Sequence, residues 1–338
     1  MEKPEANAAD GAEAAPTSDS AATTQACRAC GCEEHVVLFE GTDRFYQTTD
    51  KRFQIVECRR CSLIRLFPQP EPVELTAYYP PGYWFDASPA IADRLGQAYR
   101  RFVLRDHLHF AKRAIAASGE TGVVLDVGCG GGLFLSVLAE GGSRVVGLDL
   151  SLDAAKIAWL RHGVPTVCAS LSRTPFASES FTTVTMFHVL EHLYDPHTCV
   201  EEARRLLRPN GRLLVQVPNA ASWQFLLLGS SWRGVEIPRH LLLFRPSDLE
   251  VLLDRCGFEV VRSKHFSLRD GPACLATSLA PWLEPMLRRS RGTREGPRMR
   301  LFKDLLYLCL VVVCIPFALM EAACRAGAFV MVEARKRA

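Results

Sequence analysis

The sequence carries almost no net charge: 40 Lys and Arg against 37 Asp and Glu leave +3 across 338 residues. A protein that neutralises a run of phosphates needs a clear basic excess, so an extended nucleic-acid surface is not expected. Long apolar runs are also scarce. With 48% hydrophobic and 23% charged residues, the composition is that of a globular chain and excludes a polytopic membrane protein. Residues 1–24 contain no aromatic residue and no Leu, Ile or Val. Such a segment cannot bury enough apolar surface to offset its chain entropy, so it reads as a disordered Ala-rich tail. No charged n-region followed by an apolar stretch opens the chain, so a cytoplasmic location is expected. The 13 cysteines are then thiols or metal ligands rather than disulfide partners.

What is present falls into segments. Cysteines crowd at Cys27-Arg-Ala-Cys30 and Cys58-Arg-Arg-Cys61, two C-x-x-C pairs 27 residues apart. Four thiolates at this doubled spacing suit a tetrahedral zinc ion, with backbone N–H groups of each turn stabilising their charge. Cys32 is a spare that could replace Cys30. The spacing defines a zinc-ribbon-like module with its connector over residues 25–85. A Pro- and Tyr-rich stretch from Pro68 to Trp84 reads as the extended connector, and residues 86–117 as a linking helix carrying apolar residues at helical spacing.

From Val123 the texture changes. Short apolar runs (Val123–Val127, Arg144–Leu148, Phe181–Phe187, Arg212–Val217) alternate with helical patterns at Leu133–Glu140, Leu152–His162 and His197–Leu207. Continuous rather than alternating apolar strands, spaced by helices, indicate an α/β fold with a mostly parallel sheet buried on both faces. The first run leads into Asp126-Val-Gly128-Cys129-Gly130-Gly-Gly132. Glycines let the backbone approach a ligand closely, and the following helix offers free N–H groups. A dinucleotide fingerprint would want a third glycine at 133, where Leu133 stands. Asp126 would repel a pyrophosphate and suits a cationic ligand. The second run ends in Asp149, where an acid can accept from the two hydroxyls of a ribose.

These motifs, continued by Pro175-Phe176, by His188-Val-Leu-Glu-His192 and by Leu206 through Asn219, resemble the class I S-adenosylmethionine-dependent methyltransferases over about residues 95–265, half the chain. The resemblance implies a Rossmann-like, doubly wound, seven-stranded sheet with the cofactor at the carboxyl ends of its first four strands. It implies a core over 118–270. It implies a cofactor set of Asp126, Gly128, Cys129, Gly130, Gly132, Asp149, Leu150, Ser170 and His188. Two positions depart from the pattern: Ser170 offers a hydroxyl where relatives often have an acid, and Thr182 follows Phe181 where Asp is usual. A zinc ribbon ahead of the catalytic domain resembles a bacterial small-molecule subgroup, which gives zinc a structural role.

His188-x-x-Glu191-His192 also matches the inverted zinc-peptidase pattern, but a strand-like stretch before it and Asp195-Pro196 after it deny it a long helix. The candidate catalytic groups are His188, His192 and His240, whose pKa range suits a general base. Arg239 could bind an anionic group or sit in a surface ion pair. The apolar stretch Trp223–Trp232 suggests a hydrophobic or lipid-linked small-molecule acceptor, with methylation expected on oxygen. No Asn/Asp-Pro-Pro-Tyr clamp for a flipped base is present. A catalytically inert relative that binds partners through its zinc ribbon is the alternative. Residues 271–338 read as an apolar helical insertion and a last strand. Within them, Asp304–Cys324 is expected as a kinked buried helix, and 328–335 as a strand antiparallel to Phe258–Arg262. The basic and apolar residues 285–320 could instead touch the inner face of a membrane. No pattern specifies an oligomer.

Overall fold

The architecture comes from a computed structural model that describes residues 25–80, 83, 99–119 and 122–337. The expected disordered tail at 1–24, and residues 86–98 of the expected linking helix, lie outside the described residues. Within the described part, residues 99–103 are helical and α2 spans Arg105–Ala117.

Seven strands form the main sheet. The parallel strands are β4 (Val123–Val127), β5 (Arg144–Asp149), β6 (Thr166–Cys168), β7 (Phe181–Phe187) and β8 (Leu207–Pro218). β10 (Phe258–Lys264) and β11 (Phe329–Lys336) complete the order β10-β11-β8-β7-β4-β5-β6. β11 runs antiparallel to both neighbours and sits between β8 and β10, so the last strand is interior rather than an edge. The helices between these strands are α3 (Leu133–Glu140), α4 (Leu152–His162), α5 (Pro196–Leu206) and α7 (Pro246–Arg255). Helical crossovers between parallel strands cover both faces of the sheet, which is why its strands are apolar on both sides. Val124, Leu125, Val184, Met186, Leu213 and Val215 are all fully buried.

The cysteine-rich segment builds a smaller antiparallel sheet from β1 (His35–Gly41), β2 (Phe53–Cys58) and β3 (Ile64–Phe67), followed by the short α1 (Pro72–Ala77). Its fourth strand comes from the other part of the chain: β9 (Leu242–Leu243) pairs with β3 through Ile64↔Leu243 and Arg65↔Leu242. The two sheets therefore share one apolar core, in which Phe53, Ile55 and Leu66 pack with Trp232, Leu241 and Phe244.

One buried ion cluster fastens this junction. Arg239 has no exposed side-chain surface and donates to both oxygens of Asp43, at 2.6 and 2.9 Å, and to Glu236 at 3.0 Å. Its guanidinium also lies 4.4 Å from the Tyr46 ring centroid. The expected surface ion pair or anion site at Arg239 is thus corrected: the residue is interior and its fork is consumed by Asp43, Glu236 and the Tyr78 and Ile237 carbonyls.

The carboxyl-terminal insertion holds α8 (Gly271–Leu279), the short α9 (Pro285–Ser290) and α10 (Pro297–Ala323), with Pro316 inside the last. The expectation that α10 is buried is overturned. Only Val311, Cys314, Ala318 and Glu321 are buried, because α8 covers a single stripe of it.

Breaking a buried ion pair on one side strands the other charge. We expect Asp43→Ala to lower unfolding stability by about 3–5 kcal/mol in urea titrations. Arg335→Ala, which opens the exposed pair with Glu259, should leave the urea midpoint essentially unchanged.

Candidate functional site

The carboxyl end of β4 runs into a turn whose three glycines all have positive φ: +72° at Gly128, +52° at Gly130 and +78° at Gly132. A side chain at Gly128 would strike Val189 at 2.9 Å, and one at Gly132 would strike Ala158 at 2.8 Å. The turn is therefore closed to larger residues by sterics as well as by backbone conformation. Gly132 caps α3 in the left-handed region.

Two carboxylates flank the turn. Asp149, ending β5, accepts from Gly130 N–H at 2.8 Å and from Ser151 N–H at 2.8 Å. Burial raises its pKa, and those N–H groups oppose the rise. Each carboxylate oxygen retains a second acceptor position that a ligand hydroxyl can use. Asp126 is fully enclosed and accepts from Thr185 Oγ1 at 2.5 Å. Burial, with Asp149 nearby, pushes its pKa up to about 7, against the Thr185 hydrogen bond. A cation delivered to this turn would reverse that balance and draw Asp126 back to its charged form.

Beyond β7, His188 occupies the left-handed region at φ +58°. Its Nδ1 lies 3.2 Å from Glu191 Oε1 and its Nε2 lies 3.6 Å from Asp270 Oδ2. Burial would lower its pKa, but Asp270 and Glu191 outweigh that and raise it to about 9. Gln216 from β8 donates to Asp270 at 2.7 Å and places the same Nε2 2.9 Å from His188 Nε2. A neutral imidazole accepts that N–H and a charged one cannot, so amide and carboxylates pull His188 in opposite directions. Behind Asp270 stands His107 of α2, fully buried, 2.9 Å from Asp106 and 3.4 Å from Asp270. Burial would raise Asp270, yet Arg269, His107 and His188 hold it well below the usual carboxylate range.

His192 ends a single 3₁₀ turn, Leu190–His192, so the H-x-x-E-H string lies on a loop after β7. Its Nδ1 is 3.1 Å from both Tyr79 Oη and the Arg239 carbonyl. Burial lowers its pKa. The rings of His192 and His240 meet edge to face at 4.7 Å. His240 is buried, with Nδ1 2.7 Å from the Gly234 carbonyl, and burial plus His192 drive its pKa down to about 4. His192, His240 and Glu191 each bring one potential ligand atom within 4.8 Å of the others, so this trio could hold an ion.

The remaining sequence candidates divide. The Cys129 side chain turns away from the turn's mouth: a Cβ on Gly147 would meet its sulfur at 2.6 Å, and burial raises its thiol pKa. Only its backbone is offered to a ligand. Leu150 is 74% exposed beside Asp149. Ser170 lies beyond β6 and pairs with Ser172 at 3.0 Å. Of the apolar stretch expected to cover substrate, Phe225 and Trp232 are core residues, whereas Leu226 and Leu227 are exposed. Sequence reasoning missed Asp270, His107, Gln216, Thr185 and Tyr79. Asp270 just before a Gly-Pro helix start was the one local signal among them.

The four cysteines converge on one point. Cys27 Sγ is 3.6 Å from Cys61 Sγ and Cys30 Sγ is 3.5 Å from Cys58 Sγ, all four within 4.8 Å of one another. Tetrahedral zinc with Zn–S near 2.3 Å sets sulfur–sulfur edges of about 3.8 Å, so the donor set fits. Backbone N–H groups of Cys61 and Arg60 lower the Cys58 pKa to about 6, although burial opposes them. Cys32 points elsewhere, toward the Glu34 carbonyl.

Residues 97–263 match the family model described as a methyltransferase domain. Over 154 residues the chain is 32% identical to a ubiquinone biosynthesis O-methyltransferase of Paracidovorax citrulli, covering 42% of this chain and 65% of that one. A probable S-adenosylmethionine-dependent methyltransferase of Mycolicibacterium smegmatis is 36% identical over 141 residues, covering 40% and 52%. The chain thus spans between about half and two thirds of the length of these curated relatives. Among solved structures, a SAM-dependent methyltransferase from Archaeoglobus fulgidus aligns with a TM-score of 0.46 at 17% identity, covering 73% of this chain and 100% of that one.

Metal analysis of the purified chain should find about one zinc per molecule, as four thiolates closing one tetrahedron require. Cys58→Ser with Cys61→Ser should lose it. Zinc content unchanged by that pair of substitutions contradicts the site.

Proposed function

We propose that the methyltransferase domain carried over residues 97–263 transfers a methyl group from S-adenosylmethionine to the oxygen of a small, apolar or lipid-like acceptor. The observation that carries this reading is the pairing of a glycine turn with two carboxylates of different character. Asp149 presents acceptors at the end of β5. Asp126, held near neutrality by burial, can gain charge when a cation arrives. The relatives named for ubiquinone O-methylation support a small-molecule acceptor and an oxygen target. An inert partner-binding relative is not favoured, since the turn and both acids are intact.

The bound cofactor supplies an electrophilic methyl on a sulfonium. The chain's own residues have to orient the acceptor, exclude water and receive its proton. Gly128, Gly130 and Gly132 would bring backbone close to the cofactor, with Leu150 beside its ribose and Ser170 beside its base. His192 receives the hydroxyl proton: burial keeps it neutral at physiological pH. Tyr79 and the Arg239 carbonyl fix its Nδ1, which leaves Nε2 as the basic atom. His188, drawn toward the charged form by Asp270 and Glu191, is a poorer base in the ligand-free protein and positions the acceptor instead. His240 is too deeply buried and too weakly basic to serve, and packs His192 in place. Zinc at Cys27, Cys30, Cys58 and Cys61 is structural: it closes the module whose β3 pairs with β9, the strand that follows the His240 loop. The domain works in the cytoplasm, with residues 285–320 at the inner face of a membrane.

Hydrogen bonds to a charged carboxylate contribute about 1.5–3 kcal/mol each. Asp149→Ala should therefore weaken S-adenosylhomocysteine binding by about 10- to 100-fold in equilibrium titrations. His192→Ala should leave that affinity within about twofold and lower the methyl-transfer rate by about 10² to 10⁴. Unchanged affinity in the first variant, or an unchanged rate in the second, removes the corresponding role.

A further inference from the structure

The outer face of α10 has no counterpart elsewhere among the described residues. Sixteen consecutive residues, Leu305–Met320, carry no charge, and the helix is long and apolar enough to cross a membrane, with only 22% of its most apolar window buried. The buried stripe (Val311, Cys314, Ala318, Glu321) recurs every three to four residues against α8, so the opposite side of each turn faces outward. Val312 is 55% and Val313 72% exposed. The patch continues onto the helix α6 (Trp223–Leu228), where Trp223 contacts Phe317 at 6.2 Å between ring centroids and Leu226 and Leu227 are exposed. A contiguous exposed apolar surface of this kind marks an interaction site.

Both ends of α10 are tied to the same body. At its start, Arg288 pairs with Asp304, and Thr277 Oγ1 lies 2.9 Å from Tyr307 Oη. At its end, Ala328 N–H donates to Glu321 at 2.8 Å, Trp223 N–H to the Ala326 carbonyl at 3.2 Å and Asn219 N–H to the Ala328 carbonyl at 2.9 Å. The next residues enter β11, in the middle of the sheet. A helix of 27 residues is about 40 Å long. Crossing a bilayer would carry one of its ends that far from the other's side, which these attachments forbid. The helix can only lie along a membrane, not through it.

Charge selects the occupant. Arg294, Arg298 and Arg300 are exposed at the amino-terminal end of the patch. Trp282, 58% exposed, stands in the same region, since Arg288 joins the neighbouring Leu283 carbonyl to Asp304 of α10. An apolar face flanked by arginines and an exposed indole matches the interface of an anionic bilayer.

We propose that α10 docks the chain in the plane of an anionic lipid surface, its outer face set among the acyl chains and its arginines among the headgroups. This rests on the membrane-side placement proposed above and specifies how it is achieved. The docked helix is linked to the candidate site: α8, which packs on the inner stripe of α10, begins directly after Asp270, the partner of His188.

The test is flotation of the full chain with vesicles of phosphatidylcholine alone or mixed with phosphatidylglycerol, beside Val312→Glu/Val313→Glu and Arg294→Ala/Arg298→Ala/Arg300→Ala variants. The chain should float with the anionic vesicles. The arginine variant should bind them on the order of 100-fold more weakly, and the glutamate variant should stay in solution. Calorimetry with S-adenosylhomocysteine separates this from the proposed activity, because both variants should keep the parental affinity. Three results would overturn the docking: no flotation of the parent chain, equal flotation of the glutamate variant, or a parent dimer in light scattering that the glutamates dissociate. Absence of nucleoside binding in a chain that floats would instead strike the proposed activity alone.

Discussion

Two carboxylates at the ends of neighbouring parallel strands set the terms for everything around them. The β4–β5 register places Asp126 opposite Gly147, one residue before Leu148 and two before Asp149. The missing side chain at Gly147 makes room for Cys129. The turn can thus fold back until Gly128 N–H reaches the Leu148 carbonyl and Gly130 N–H reaches Asp149. Packing two acids into one enclosed turn is unfavourable when both are charged. The protein answers by giving Asp149 two backbone donors and leaving Asp126 with a single hydroxyl and a raised pKa. Burial thus raises both acids, Asp126 further than Asp149, and a ligand with hydroxyls at one end and positive charge at the other would relieve both.

A second constraint couples that turn to the cysteine module. β9, two residues long, is the fourth strand of the small sheet. The residues just before it carry Glu236, Arg239 and His240. Asp43 of the module neutralises Arg239, whose carbonyl fixes His192, while Tyr79 holds the same ring nitrogen. The orientation of a candidate base therefore depends on a segment more than one hundred residues earlier in the chain. The cysteine module is thereby connected, through the pairing of β3 with β9, to the segment whose Arg239 carbonyl meets His192.

Much of this was legible in the sequence because it is local. The runs at 123–127 and 181–187 and the helices at 133–140 and 152–162 have the predicted bounds, since apolar periodicity and glycine punctuation act over a few residues. Gly128, Gly130 and Gly132 all adopt the conformation that makes glycine necessary. His107 and Gln216 were invisible, and Asp270 showed only as the residue before a Gly-Pro helix start, because the fold alone gathers them around His188 and no spacing rule spans such separations. Arg239 misled for the same reason: its partner Asp43 lies 196 positions away. For α10, composition measures apolarity and not which face is covered. Sixteen uncharged residues fit a buried helix and a surface one equally well, and only the stripe held by α8 decides between them.

The central claim is that the turn between Asp126 and Asp149 is built for a nucleoside bearing a positive charge. The most direct measurement is calorimetric titration of S-adenosylmethionine and of S-adenosylhomocysteine one pH unit below and one above the Asp126 value of about 7. A cationic ligand favours ionised Asp126, so at the lower pH its binding must expel a proton, and its affinity must rise as pH increases through that value. The account predicts saturable binding of both nucleosides, with the sulfonium form gaining clearly more affinity at the higher pH than the uncharged thioether. Failure of either nucleoside to bind, or a sulfonium affinity indifferent to pH across this range, would contradict it.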